Sequence, residues 1–420
     1  MSQLREVFSS QGPASHFFGY YDKSPLDKTG RRLLALRCDL ERAQPQAGDQ
    51  AAVGYFDIET KAYHQLDSSR AFNWQQGAML QWLGPDFHRR VIFNDLSQGQ
   101  VVAVLLDLTS GERRLLPGGV TSVAPSGRQA VALDWRYLAQ TRPSYSYAGL
   151  AADDPLPPED NALWRLDLDS GARHRLIGLA ELLSHQRLSS MAGARHSLEH
   201  PMVSPDGRRF CFYHRWVLAD GGVFTRLYSL SMAGEDLRLL LDSGKVTHAC
   251  WRGNDQVVLW GGLPSLATGL RRHRLLVKTL LKPLLPFYRR LVRHRPGLQR
   301  AAAGVSYLRL RDSDSPAPRR LADGLLTRDG HPSFHPHNRD LLLTDSYPDE
   351  KLEQQLYLYD LAADRLESLG GFKTLASHRE TAWRCDLHPR WDFSGRMICV
   401  DSLHSGQRQI HLYRLVTDGA

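Results

Sequence analysis

One unit recurs seven times along this 420-residue chain, and that recurrence limits the fold more than any other feature. Each unit begins with a polar turn and a short apolar run: GRRLLAL at 30–36, RRVIFND at 89–95, GRQAVAL at 127–133 and GRRFCFY at 207–213. The run returns as NDQVVLW at 254–260, NRDLLLT at 338–344 and GRMICVD at 395–401. A partner follows each one, such as VGYFDIETKAYHQL from 53 or ALWRLDLDSGARHRLI from 162. The partners alternate apolar with polar residues and turn at Thr-Ser-Gly or Asp-Ser-Gly, which is antiparallel hairpin chemistry. Seven such units, at about 60 residues each, predict an all-β, seven-bladed β-propeller over residues 1–420. Two β-sandwiches would need a central linker, and the sequence has none. The last unit stops after QIHLYRLV at 409–416, so the N-terminal segment around Leu4–Phe8 is expected to supply its missing strand.

Extra length falls at 136–160, 180–198 and 262–303. The third stretch explains the charge. Between Gly261 and Arg311 there are twelve Lys or Arg and no Asp or Glu, so removing them from the net +8 leaves a body at −4. A pI of 9.3 on such a body does not indicate a nucleic-acid-binding surface. The insertion alternates Leu with Lys and Arg at helical spacing, broken by Pro283 and Pro286. It reads as two short basic amphipathic helices that would rest on an anionic membrane through Arg271, Arg272, Lys278, Lys282, Arg289 and Arg290. A polyanion, a partner protein or packing on the propeller itself are the other readings. No run of about 18 apolar residues is present, and no apolar leader opens the chain, so the expected place is the cytoplasm, peripheral on the inner membrane. The five cysteines are scattered without a CxxC pair and read as free thiols.

Aligning the units on the turn glycine, or the residue in its place, puts His200, His248, His331 and His388 seven positions upstream in four of them. Lys23 and Val120 hold that place in the first and third units. In the second, the stretch with Asn73, Gln75 and Gln76 corresponds. In a propeller this position lies on the innermost strand, so the imidazoles converge on the axis and suit a divalent transition metal. The bland alternative is a set of hydrogen-bonded polar plugs. In TAWRCDLHPRW, Arg384, Asp386 and His388 alternate and would share one side of a strand. Further polar and aromatic clusters fit a saccharide: Tyr21 and Lys23, Asn73 with Gln75 and Gln76, Asn94, Arg215 after FCFY, and Tyr145 with Tyr147 in RPSYSY.

HPMVSPDG, VTHACW and DLHPRW, together with the repeated SPDG-like turn, resemble the TolB-type propellers, and among these the manganese-binding oligogalacturonate lyase family. The resemblance implies a metal-dependent lyase with His248 as general base and His331 among the metal ligands. The family carries Gln-x-x-His-x-His in its last blade, and here those places read Trp383, Asp386 and His388. The departure keeps a His, His, Asp set, with His200 as a further candidate ligand, for Mn²⁺, Fe²⁺ or Zn²⁺. GYYDKSP and DLHPRW are also similar to propellers of bacterial surface-polysaccharide clusters. An acidic or lipid-linked glycan is then the expected substrate, with polysaccharide-assembly proteins as partners. β-Elimination at a uronic acid would use His248 as base and Arg384 or Arg215 against the carboxylate. A glycosyltransferase-like enzyme and a non-catalytic scaffold are the competing readings.

Overall fold

The computed structural model describes residues 2–150, 156–157, 161–263, 304–379 and 381–417, so the six insertion cations named above lie outside the described residues. All strands among the described residues fall into seven four-stranded antiparallel sheets. Six of these blades are built from strands consecutive in the chain. The apolar runs that mark the repeat are the second strand of each blade, as in Arg32–Cys38, Arg90–Ser97 and Met397–Ser402. They are apolar on both faces because each blade is covered by a neighbour on either side. The first strand is often shorter, as in Gln81–Trp82, Ser333–Phe334 and Arg390–Trp391, and lies nearest the axis.

The seventh blade is closed by the N-terminus, as the sequence predicts. Ser2–Ser9 pairs antiparallel with Gln409–Thr417, setting Leu4 opposite Leu415 and Phe8 opposite Leu412. Phe8 is buried, and its ring lies 5.0 Å from Phe56 of the first blade. One strand therefore satisfies the open edge of blade seven and ties it to blade one, which removes a pairing liability.

Two of the long connections carry helices instead of loops. Asp134 caps the helix Trp135–Thr141 by accepting from the backbone N–H groups of Arg136 and Tyr137. That helix sets the direction of the following turn, Pro143–Tyr145. The helix Leu179–Ser184 fills the second connection, and the fourth blade then begins early, with Arg195–Val203.

At the axis, Tyr20 and Tyr21 of the first blade reach across to histidines of the others. Tyr20 contacts the rings of His200 and His388, and Tyr21 those of His248, His331 and His388. The pair forms a plug through the centre of the propeller.

Candidate metal centre and active site

The equivalent inner-strand positions are Lys23, Met79, Val120, His200, His248, His331 and His388, each three residues before the residue that pairs with the second strand. Met79, and not Asn73, Gln75 or Gln76, holds the place in the second blade. Met79, His200, His248 and His388 all have positive φ, between 34° and 54°. Side chains with a Cβ rarely adopt this conformation, and each instance costs on the order of 1–3 kcal/mol. In blades four and five the cause is a bulge, where the register with the second strand slips between Glu199 and Met202 and between Thr247 and Ala249. Such a bulge re-aims a side chain, here an imidazole towards the axis. His331 reaches the same place by another route. It follows Gly330, where a Cβ would come within 1.9 Å of the Asp345 carbonyl oxygen.

His331, Asp386 and His388 are buried, and their ligand atoms lie within 4.8 Å of one another. Asp345 receives the His331 ring through Nδ1 at 2.9 Å, and the Gly19 carbonyl accepts from His388 Nδ1 at 2.8 Å. Both rings are thereby turned so that Nε2 is the nitrogen left to coordinate. Burial and the neighbouring His331 and Arg390 hold the His388 pKa well below the ordinary histidine value, so this ring is neutral, as a ligand must be. Burial lowers that of His331 too, but the Asp345 carboxylate outweighs it and the net shift is upward. Arg384 Nε donates to Asp386 Oδ2 at 2.7 Å, while Asp386 Oδ1 is buried with no hydrogen-bond partner. His388 Nε2 lies 4.0 Å from Asp386 Oδ2. Two oriented imidazoles and a buried carboxylate with one unpartnered oxygen, so close together, are the donor set of a divalent metal, and the residues present fit one.

His248 adjoins this group, its ring centroid 4.3 Å from that of His331. Its Nδ1 lies 2.8 Å from Asp329 Oδ1, and Asp329 Oδ2 accepts from Thr247 Oγ1 at 2.9 Å. The carboxylate makes Nδ1 the protonated nitrogen, leaving Nε2 basic. The Tyr347 hydroxyl lies 3.3 Å from that Nε2, and its ring contacts His331. Arg384 lies over the Tyr347 ring and donates to the Tyr145 hydroxyl at 3.0 Å.

A cavity of about 510 Å³ opens beside His248 and is lined also by Arg142, Tyr145, Glu199, His200, Tyr213 and Arg215. Arg142 is locked: it pairs with the buried Glu199 and covers the Tyr145 ring at 3.6 Å. The Arg215 side chain makes no hydrogen bond or ion pair among the described residues, and burial lowers its pKa. The metal-competent residues themselves do not line this cavity; His248 is the member of the constellation that borders it.

The structure thus brings together His248, His331, Arg384, Asp386 and His388, with Tyr145 and Arg215 at the cavity. His200 stands apart from the metal-competent group, packed against Tyr20, Tyr145 and Tyr213, its buried Nδ1 without a hydrogen bond and 3.6 Å from Glu199 Oε2. The other predicted saccharide contacts do not border this cavity. Tyr21 donates to the Ala249 carbonyl, and Lys23 pairs with Asp22 at 2.6 Å, lining a separate cavity. Asn73 Oδ1 accepts from the backbone N–H groups of Gln75 and Gln76, fixing that turn. The Gln75 side chain donates to the Arg384 carbonyl, and Gln76 is buried. Asn94 sits on the second strand and bridges Val120 and the Tyr147 hydroxyl, while the Tyr147 ring stacks on Trp135. Trp383 packs on His378 and Trp74. Asp329, Asp345, Tyr347 and Glu199 were not singled out from the sequence. Asp329 is two residues before His331, Asp345 ends a second strand and Tyr347 lies two residues beyond it, a spacing that could have flagged them.

No protein-family model matches this sequence, and no curated protein does. Solved structures do. An oligogalacturonate lyase in complex with manganese superposes with a TM-score of 0.60 at 14% identity, covering 99% of this chain and 98% of that one. The oligogalacturonate lyase of Vibrio parahaemolyticus gives 0.58 at 12% identity, covering 99% and 96%. TolB from Acinetobacter baumannii follows at 0.39 and 13%, covering 81% and 63%. End to end, this chain has the seven-bladed propeller fold of the oligogalacturonate lyases.

Proposed function

We propose that this propeller is a metal-dependent lyase that cleaves a uronic-acid-containing glycan by β-elimination. The observation that carries the reading is the contact between a metal-competent group and a base: His248, oriented by Asp329, lies against His331. His331, Asp386 and His388 would hold the ion, with Mn²⁺ favoured over Fe²⁺ and Zn²⁺ because a structural neighbour contains manganese. A bound divalent ion supplies positive charge to a substrate carboxylate, which acidifies the adjacent C–H. His248 Nε2 then takes that proton, its Nδ1–H held on Asp329. Arg384 adds a fixed positive charge beside Asp386, and Arg215 offers the cavity a guanidinium free to meet an anionic group.

The test is metal analysis of the purified protein together with assay of acidic glycans for an unsaturated uronate. About one equivalent of metal and a His248-dependent product are expected. No metal after Mn²⁺ addition, or no product from any uronate glycan, would overturn the reading.

The basic stretch within 262–303 supports docking on an anionic membrane, where a lipid-linked acidic glycan would be met. Co-sedimentation with phosphatidylglycerol vesicles, lost on deletion of 264–303 and absent with neutral vesicles, tests it.

A further inference from the structure

Tyr347 has no part in the scheme above, yet its hydroxyl is within reach of the nitrogen that scheme makes the base. Asp329, His248 and Tyr347 form one line of hydrogen bonds: carboxylate to Nδ1 at 2.8 Å, then Nε2 to the phenol at 3.3 Å. Because Nδ1 is the donor to Asp329, Nε2 carries the lone pair, and Tyr347 must donate to it. The phenol therefore points its proton at the same nitrogen that takes the C–H proton in that scheme. Its ring is held from two further sides, by His331 at 5.6 Å and by the Arg384 guanidinium at 5.6 Å. A side chain fixed in this way keeps its hydroxyl beside the base, with its ring against one residue of the metal-competent group.

Resting on the lyase reading, we propose that Tyr347 is a second catalytic residue, the proton donor to the leaving glycosidic oxygen. In the elimination the C5–H bond breaks and its proton passes to His248 Nε2. The electron pair becomes the C4–C5 double bond, and the C4–O bond breaks with its electrons on oxygen. Tyr347 gives its proton to that oxygen, and the phenolate takes the proton from His248 Nε2. Both residues end as they began, and no co-reactant is consumed. One proton crosses from carbon to oxygen over a path that the resting hydrogen bond already spans.

The experiment compares wild type, Tyr347→Phe and His248→Ala, each Mn²⁺-loaded, on two probes: digalacturonate and 4-O-(4-nitrophenyl) galacturonate, whose leaving group needs no proton. Tyr347→Phe keeps the ring, and its thermal unfolding is checked against wild type. The expected result is a loss of about 10²–10⁴-fold in kcat on digalacturonate, with less than about tenfold on the nitrophenyl probe. In D₂O, Tyr347→Phe should also exchange the C5 hydrogen of digalacturonate faster than it eliminates. His248→Ala should lose both reactions and the exchange. Equal loss on the two probes, or no loss on either, overturns the donor role and leaves the lyase reading standing. Wild type inactive on both probes, and without C5 exchange, overturns both together.

Discussion

Asp345 holds His331 at two points at once: Oδ1 accepts from the backbone N–H at 2.7 Å and from the ring Nδ1 at 2.9 Å. Its other oxygen accepts from the backbone N–H of His388 at 3.3 Å. One buried carboxylate, from the second strand of blade six, thus sets the positions of two candidate ligands that belong to different blades.

Asp345→Asn should weaken metal binding without removing a ligand. An amide keeps one accepting oxygen for the His331 N–H and ring, but its NH₂ cannot accept from the His388 N–H, and it lacks the carboxylate's charge. A loss of about 10–100-fold in Mn²⁺ affinity is expected for an outer partner of this kind. Calorimetric titration with Mn²⁺ reads it directly; unchanged affinity would mean the two rings are fixed by packing alone.

His388→Ala and His200→Ala separate two histidines that sequence alignment makes equivalent. Removing His388 should abolish stoichiometric metal, since Asp386 and His331 alone leave two ligands. Removing His200 should leave metal content near wild type, because that ring stands among tyrosines. Elemental analysis of the two proteins decides the point.

Acid should destabilise the fold partly through the pair Glu199 and His200. Burial, with Arg142 nearby, lowers the His200 pKa to about 3 from an ordinary 6.5. The unfolded chain therefore takes up a proton that the folded one refuses, and stability falls as the pH drops from 6.5 towards 3. Glu199 acts in the same direction lower down. Burial alone would raise its pKa, but the Arg142 charge prevails and holds it near 2, so its contribution is full above 4.5 and lost as the pH falls towards 2. Urea unfolding of His200→Gln should show a shallower decline between pH 6.5 and 4.5 than wild type. Parallel curves would remove His200 from the account.

Phe8→Ala should cost about 3–5 kcal/mol, because a buried ring between blades seven and one would leave a cavity. Chemical denaturation measures it. A surface control on the same strand, Arg5→Ala, should stay within about 0.5 kcal/mol.

The order of the blades was legible because their signal is local. Hairpin turns, two-residue alternation and apolar second strands each lie within a few residues, so seven copies could be counted. The closing strand followed from the count, since a third strand without a fourth leaves an open edge. His331 and His388 could be found for the same reason: equal spacing from a turn means equal height on the axis.

The partners of those residues were not legible. Asp329 and His248 are 81 residues apart, and Gln75 and Arg384 are 309 apart. Asn73, Asn94 and Tyr147 have the side-chain chemistry of saccharide contacts, but their polar atoms are consumed by neighbouring turns and blades. Four histidines at one register divide by their partners: Asp345 receives His331 and the His388 backbone, Asp329 receives His248, and His200 is packed among tyrosines.

The number of blades, the closure and the height of the histidines follow from the order of residues alone, since hydrophobic periodicity and turn chemistry act over short stretches of chain. The tertiary structure alone decided which of those histidines meet a carboxylate and which meet aromatic rings. That choice depends on hydrogen bonds and packing between blades distant in sequence, and short-range pattern carries no record of them.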